Sequence, residues 1–158
     1  MSASSKVLMG IFLLGSNTLF GQAKIKISGA VVNMNNAAYL STKDVIVNNG
    51  GHLNVIESTL EVKDSITSVA NINLRHGNLE MSGRNTQVIP LGSFQNNAVN
   101  NFIVNNSSAT GIALGGTVDI YNSLTYVGTG QKLSTNDNLT IKSTSANTAW
   151  VGDMTGNT

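Results

Sequence analysis

The sequence predicts an all-β chain, a right-handed parallel β-helix or β-solenoid with short strands and Asn/Gly corners, and three observations lead there. The first is a repeat: Leu53-Asn54-Val55 and Leu60-Glu61-Val62 return about 19 residues later as Ile72-Asn73-Leu74 and Leu79-Glu80-Met81, a spacing typical of stacked coils. The second is the form of each tripeptide, with two apolar side chains on one face and a polar one on the other, the pattern of a half-buried strand. The third is that, beyond the N-terminal stretch, no window repeats apolar residues at helical spacing over three turns. An antiparallel β-sandwich is the alternative. Its hairpins would lay residues 53–55 antiparallel beside residues 60–62 and would need no long-period register.

Taken in order, the chain begins with Lys6 ahead of the apolar run Val7–Gly15, then Ser16-Asn17-Thr18 and Gly21-Gln22-Ala23. That run is too short to span a bilayer but suits the core of a signal peptide, with small residues placed for cleavage after Ala23. Residues 1–23 are therefore expected to be a signal peptide and residues 24–158 the solenoid. No later apolar run reaches spanning length, so no transmembrane helix is expected in the mature chain.

Lys24-Ile25-Lys26-Ile27 alternates cleanly and reads as a first strand or a lead-in covering the end of the stack. Asn35-Asn36 turns the chain into Ala38-Tyr39-Leu40 and then Val45-Ile46-Val47. Asn48-Asn49-Gly50-Gly51 is a corner, because Asn and Gly tolerate the left-handed backbone. Apolar pairs continue at Phe102/Val104, Ile112/Leu114, Val118/Ile120, Leu124/Tyr126 and Leu139/Ile141. Clusters such as Asn96-Asn97, Asn100-Asn101, Asn105-Asn106 and Gly115-Gly116 lie between strands in this reading. The segment from Thr86 to Ala98, around Pro90, fits the register poorly. At about 20 residues per coil the mature chain makes about six or seven coils. Corner asparagines stacked coil on coil can bond to one another along the axis, since an amide carries both donors and an acceptor.

Composition bounds the function. A net charge of +1 and 11% charged residues leave no basic field to concentrate nucleic acid or anionic lipid. With no Cys, a thiol mechanism is excluded and stability comes from packing and pairing alone. His52 and His76 lie at no metal-ligand spacing and read as exposed corner residues. No Ser sits in a nucleophile-elbow motif. Glu61 stacked with Glu80 near Arg75 or Arg84 is the nearest thing to the charged faces of β-helix enzymes that act on acidic polysaccharides. Outward glutamates on a strand are more simply read as solvated, and two like charges stacked alone repel.

Gly115–Asp119 resembles the start of a calcium-binding glycine-rich repeat but occurs once. Asn106-Ser107-Ser108 and Asn138-Leu139-Thr140 match the N-glycosylation acceptor, a match that so Asn-rich a chain produces by chance. Of Tyr39, Tyr121, Tyr126 and Trp150, Tyr126 has inward parity, leaving few aromatics for a sugar platform. The sequence thus assigns no catalytic, cofactor-binding or metal-binding residue, and the expected protein is not an enzyme.

The run Leu139-Thr140-Ile141-Lys142-Ser143-Thr144-Ser145-Ala146-Asn147-Thr148-Ala149-Trp150-Val151-Gly152-Asp153-Met154 resembles the segment that closes the N-terminal solenoid of large secreted surface proteins of Bacteroidetes, cargo of the type IX secretion route. The short strands with Asn/Gly corners, and the signal ending Leu19-Phe20-Gly21-Gln22-Ala23, are similar too. The resemblance implies export across the outer membrane and display at, or release from, the cell surface. Members of that group carry further domains and a C-terminal sorting domain. Because this sequence stops at Gly156-Asn157-Thr158, it is expected to be the N-terminal part of a longer chain, truncated at the solenoid's C-terminal end. Its expected role is a non-enzymatic stalk, spacer or adhesin-like module, with a fragment of a polysaccharide lyase or hydrolase, or a carbohydrate-binding β-sandwich, as alternatives. Expected partners are the downstream domains of the same chain and surface glycans or other cell-surface proteins.

Overall fold

The computed structural model describes residues 23–154, 156 and 157, so the expected signal peptide lies, except for Ala23, outside the described residues. Twelve strands follow one another with no helix among the described residues: β1 (Lys24–Ser28), β2 (Val31–Met34), β3 (Tyr39–Asn48), β4 (His52–Ser68), β5 (Ile72–Gly83), β6 (Gln87–Ile89), β7 (Phe94–Asn106), β8 (Ile112–Leu114), β9 (Val118–Tyr126), β10 (Leu133–Ser134), β11 (Leu139–Ile141) and β12 (Trp150–Val151). Among the described residues every pairing is parallel. The large sheet runs β1-β3-β4-β5-β7-β9-β11, with β2 beside β4 and β12 beside β9, and the smaller one runs β10-β8-β6. Each strand pairs with the next turn of the chain, which makes a β-solenoid of about 6 turns.

The repeat in the sequence is the register of the coil. Leu53 pairs with Ile72, Asn54 with Asn73, Leu60 with Leu79 and Glu61 with Glu80. Among the described residues the antiparallel neighbours of a sandwich do not occur. Alternation decides which side chains enter: Leu53, Val55, Leu60, Val62, Ile72, Leu74, Leu79 and Met81 are all at most 1% exposed. One inward column climbs through Leu40, Leu60, Leu79, Phe102 and Leu124, so like side chains stack on like in a narrow core.

Strands such as β4 are long because the chain passes from one face to the next without leaving the ladder, and the change of direction falls at Glu57, with φ 48°. The expected corner at residues 48–51 is present, with Asn49 at φ 49° and Gly50 at φ 74°. Beside the Glu57 corner, Gly77 packs so tightly that a Cβ there would overlap the Val55 carbonyl and come within 2.8 Å of its Cγ1. A side chain at residue 77 would wedge two coils apart.

One expectation is corrected and one is borne out. Asn100-Asn101 and Asn105-Asn106 do not separate strands but lie inside β7, and within that strand only Asn96 and Asn97 take left-handed backbone, at φ 54° and 57°. The poorly fitting segment around Pro90 is a longer coil with a strand of its own, β6, whose Ile89 joins the core together with Phe94 and Val99. Between the pairs Ile72/Phe94 and Leu74/Val99 the register shifts, and the additional residues are accommodated at Gln95–Asn97.

Polar side chains lock the coils together from inside and outside. Within the wall, Gln87 donates to the Val62 carbonyl at 3.0 Å, and Asn106, fully buried, donates to Gln87 Oε1 at 2.7 Å and to the Asn85 carbonyl at 2.8 Å. Outside, a ladder runs Asn78 to Thr59 at 3.0 Å, Asn101 to Asn78 at 2.6 Å, and Asn122 to Asn101 at 2.6 Å. Stacked asparagines therefore do bond along the axis, though Asn54 bonds its side chain to Asn33, at 2.8 Å, rather than to Asn73.

Candidate functional site

Five carboxylates are occupied, mostly by neighbouring coils. Asp44 accepts from Ser65 at 2.7 Å and faces Lys24 at 3.8 Å; Asp64 faces Lys43 at 3.5 Å; Asp119 pairs with Lys142 at 2.6 Å. Glu80 accepts from Tyr39 at 3.2 Å and from Asn105 at 2.7 Å. Glu61 accepts from the Ser82 hydroxyl and faces Lys63 at 3.7 Å.

The expectation of two solvated, mutually repelling glutamates is thus corrected, since Glu61 is only 9% exposed and each carboxylate has donors of its own. Burial pushes the Glu61 carboxyl up, but the nearby Ser41 hydroxyl, donation from the Ser82 hydroxyl and the charge of Lys63 outweigh it, leaving Glu61 below the usual range. Burial and the neighbouring Glu80 and Glu61 charges hold the Tyr39 phenol well above its ordinary value. Neither Arg75 nor Arg84 forms an ion pair with these glutamates among the described residues.

Other residues singled out in the sequence are dispersed. His52 begins β4 opposite Val31, and His76 lies in β5 opposite Ile56. Both are exposed. Tyr126 packs against the core, as its parity requires, and burial raises its phenol. Tyr39 and Trp150 stand at the two ends of one outward column, opposite Thr59 and Ser123 respectively, too far apart for one sugar ring. Asn106 of the first glycosylation match is buried with its amide engaged, and its Oδ1 accepts from the Ser108 amide at 2.8 Å.

The structure brings one set of polar side chains together in the open. A half-open groove of about 300 Å³ is lined by Asn73, Arg75, His76, Gln95, Asn96, Ala98 and Tyr121. It lies where the extra residues of β7 displace the corner, between the turn carrying Arg75 and the turn carrying Tyr121. The Arg75 guanidinium carbon lies 3.5 Å from the centre of the Tyr121 ring, a cation–π stack. Lys142 Nζ lies 5.9 Å from the same centre while paired to Asp119.

Stacking fixes the plane of the guanidinium without consuming its N–H donors. Among the described residues no side-chain hydrogen bond or ion pair engages Arg75, His76, Gln95 or Asn96. Asn73 uses its Oδ1 to accept from the Arg75 amide at 3.2 Å. This contrasts with the ladder, where amides are spent on one another.

Sequence reasoning reached Arg75, His76 and Tyr121 as separate residues and missed Gln95 and Asn96. The signal available for the latter pair was the misfit of the segment around Pro90: a coil with extra residues must bulge somewhere, and bulges re-aim side chains. Compared with protein-family models, curated proteins and solved structures, the chain matches none.

Proposed function

We propose that this chain is a non-enzymatic β-solenoid module of a larger exported protein, displayed at or released from a bacterial surface as a stalk, spacer or adhesin-like region. The observation that carries the reading is the use made of the charged side chains. Asp44, Glu61, Asp64, Glu80 and Asp119 each bind a hydroxyl, amide or cation contributed in most cases by an adjacent coil, which is the work of holding a rod together. General acid–base chemistry would instead need a carboxylate poised toward an open site. The leader-like residues 1–23 and the resemblance to type IX cargo support export, and glycans or other surface proteins are the partners such a module would meet.

The test is expression of the whole gene in its own host, followed by fractionation and N-terminal sequencing. A surface or released product beginning near Lys24 is expected. A cytoplasmic product retaining Met1 would overturn export, and release of unsaturated or reducing ends from acidic polysaccharides by the purified protein would overturn the non-enzymatic role.

A further inference from the structure

From the groove beside Tyr121 we infer a binding site for a carboxylated sugar, a hexuronate unit of an acidic glycan, held by Arg75 through its carboxylate and by His76, Gln95 and Asn96 through its hydroxyls. The inference goes beyond the scaffold role and does not depend on it.

A planar guanidinium with uncommitted donors binds a carboxylate in bidentate fashion, and Arg75 is uncommitted because Tyr121, not an acid, holds it in place. Asp119, which pairs opposite the groove residue Ala98, is satisfied by Lys142 at 2.6 Å. The unit charge of Arg75 therefore faces the opening without an internal counter-ion among the described residues. Around it, Gln95, Asn96 and His76 offer both donors and acceptors, the complement of ring hydroxyls, which also do both.

The lining decides between a sugar and an acidic peptide. Ala98 is the one aliphatic residue that lines the groove, and it is 2% exposed, so no apolar pocket is present to anchor a peptide side chain. A volume of about 300 Å³ suits a small polar unit at the lower end of ligand sites. Tyr121 is a positioning residue, since its ring face is covered by Arg75.

The experiment is a titration of the purified full chain followed by backbone and side-chain NMR, with sodium glucuronate, galacturonate, glucose and N-acetylglutamate at matched ionic strength. Saturable shifts at Arg75 Nε, His76 and the Gln95 and Asn96 amides are expected with a uronate, the two epimers differing in strength, with glucose at least about tenfold weaker through loss of a charged hydrogen bond and N-acetylglutamate weaker because it lacks the ring hydroxyls that His76, Gln95 and Asn96 would bind. Arg75→Gln should weaken the uronate about tenfold or more, and Arg75→Lys by less, because the point charge survives and the fork does not.

Gln95→Ala, at an exposed position, should weaken uronate and leave the remaining spectrum in place, which keeps the test decisive if Arg75→Gln disturbs the fold. Equal binding of N-acetylglutamate would overturn the sugar in favour of an acidic peptide. Equal binding of glucose, uronate shifts unaltered by the substitutions, or no saturable shift at all would overturn the site.

Discussion

Position along a strand decides the cost of a charge. Leu74 is fully buried while its neighbour Asn73 faces outward and only accepts from the Arg75 amide. Leu74→Asp strands a charge in the core and is expected to lower stability by more than about 4 kcal/mol, whereas Asn73→Asp keeps the acceptor and should cost less than about 1 kcal/mol. Urea denaturation of the two variants measures the difference, and equal losses would contradict the observed faces. The Tyr39–Glu80 contact gives a second test at this scale. Because the folded state holds the Tyr39 phenol above its ordinary 10.0, the unfolded chain releases this proton first. The contribution is complete below pH 10 and is lost as pH rises beyond it. Glu61 has the opposite sign: its folded carboxyl lies below the unfolded value of about 4.3, so its contribution is present above that pH and is lost as pH falls through the folded value. Melting-temperature scans should show Tyr39→Phe removing part of the alkaline loss and, because the Tyr39 hydroxyl also helps to hold the Glu61 carboxyl down, weakening the acid limb to a smaller extent.

Between residues and the rod stands the ladder. Asn101 donates to Asn78 and accepts from both Asn122, at 2.6 Å, and Ser123, at 2.7 Å. Asn101→Ala is expected to cost about 1–3 kcal/mol, read by chemical denaturation, and a cost under about 0.5 kcal/mol would show the ladder to be ornamental. This element also marks the boundary of what could be read in advance. The coil at residues 53–81 was legible because Leu, Val and Ile alternate without insertion, so two turns superpose in the one-dimensional text. Asn101 and Asn106 were misplaced for a physical reason: the same side chain that tolerates a corner can bond along a stack, and composition cannot tell which is satisfied. The groove was illegible because it is made by a register shift at Gln95–Asn97, which brings Arg75 and Tyr121 together across a coil. Neither residue carries that information alone.

For the molecule as a whole, each coil contacts chiefly the coils beside it, and stability is close to a sum of turn and interface contributions. Interior turns have two such interfaces and end turns one. Hydrogen exchange should therefore be slowest at residues 60–62, 79–81 and 102–104 and faster toward β1 and β11, with openings that spread inward from the ends. A flat protection profile would point to all-or-none opening instead. The parallel pairing has a mechanical side. Because the strands bond to the turns above and below, tension applied between the two ends loads one interface at a time, in peeling rather than in shear. A turn that occupied about 4.8 Å of the axis would pay out about 20 residues, roughly 65–70 Å of extended chain. A rod built this way resembles a spool: under load it would lengthen one turn at a time, and each released turn would find its template in the one still wound.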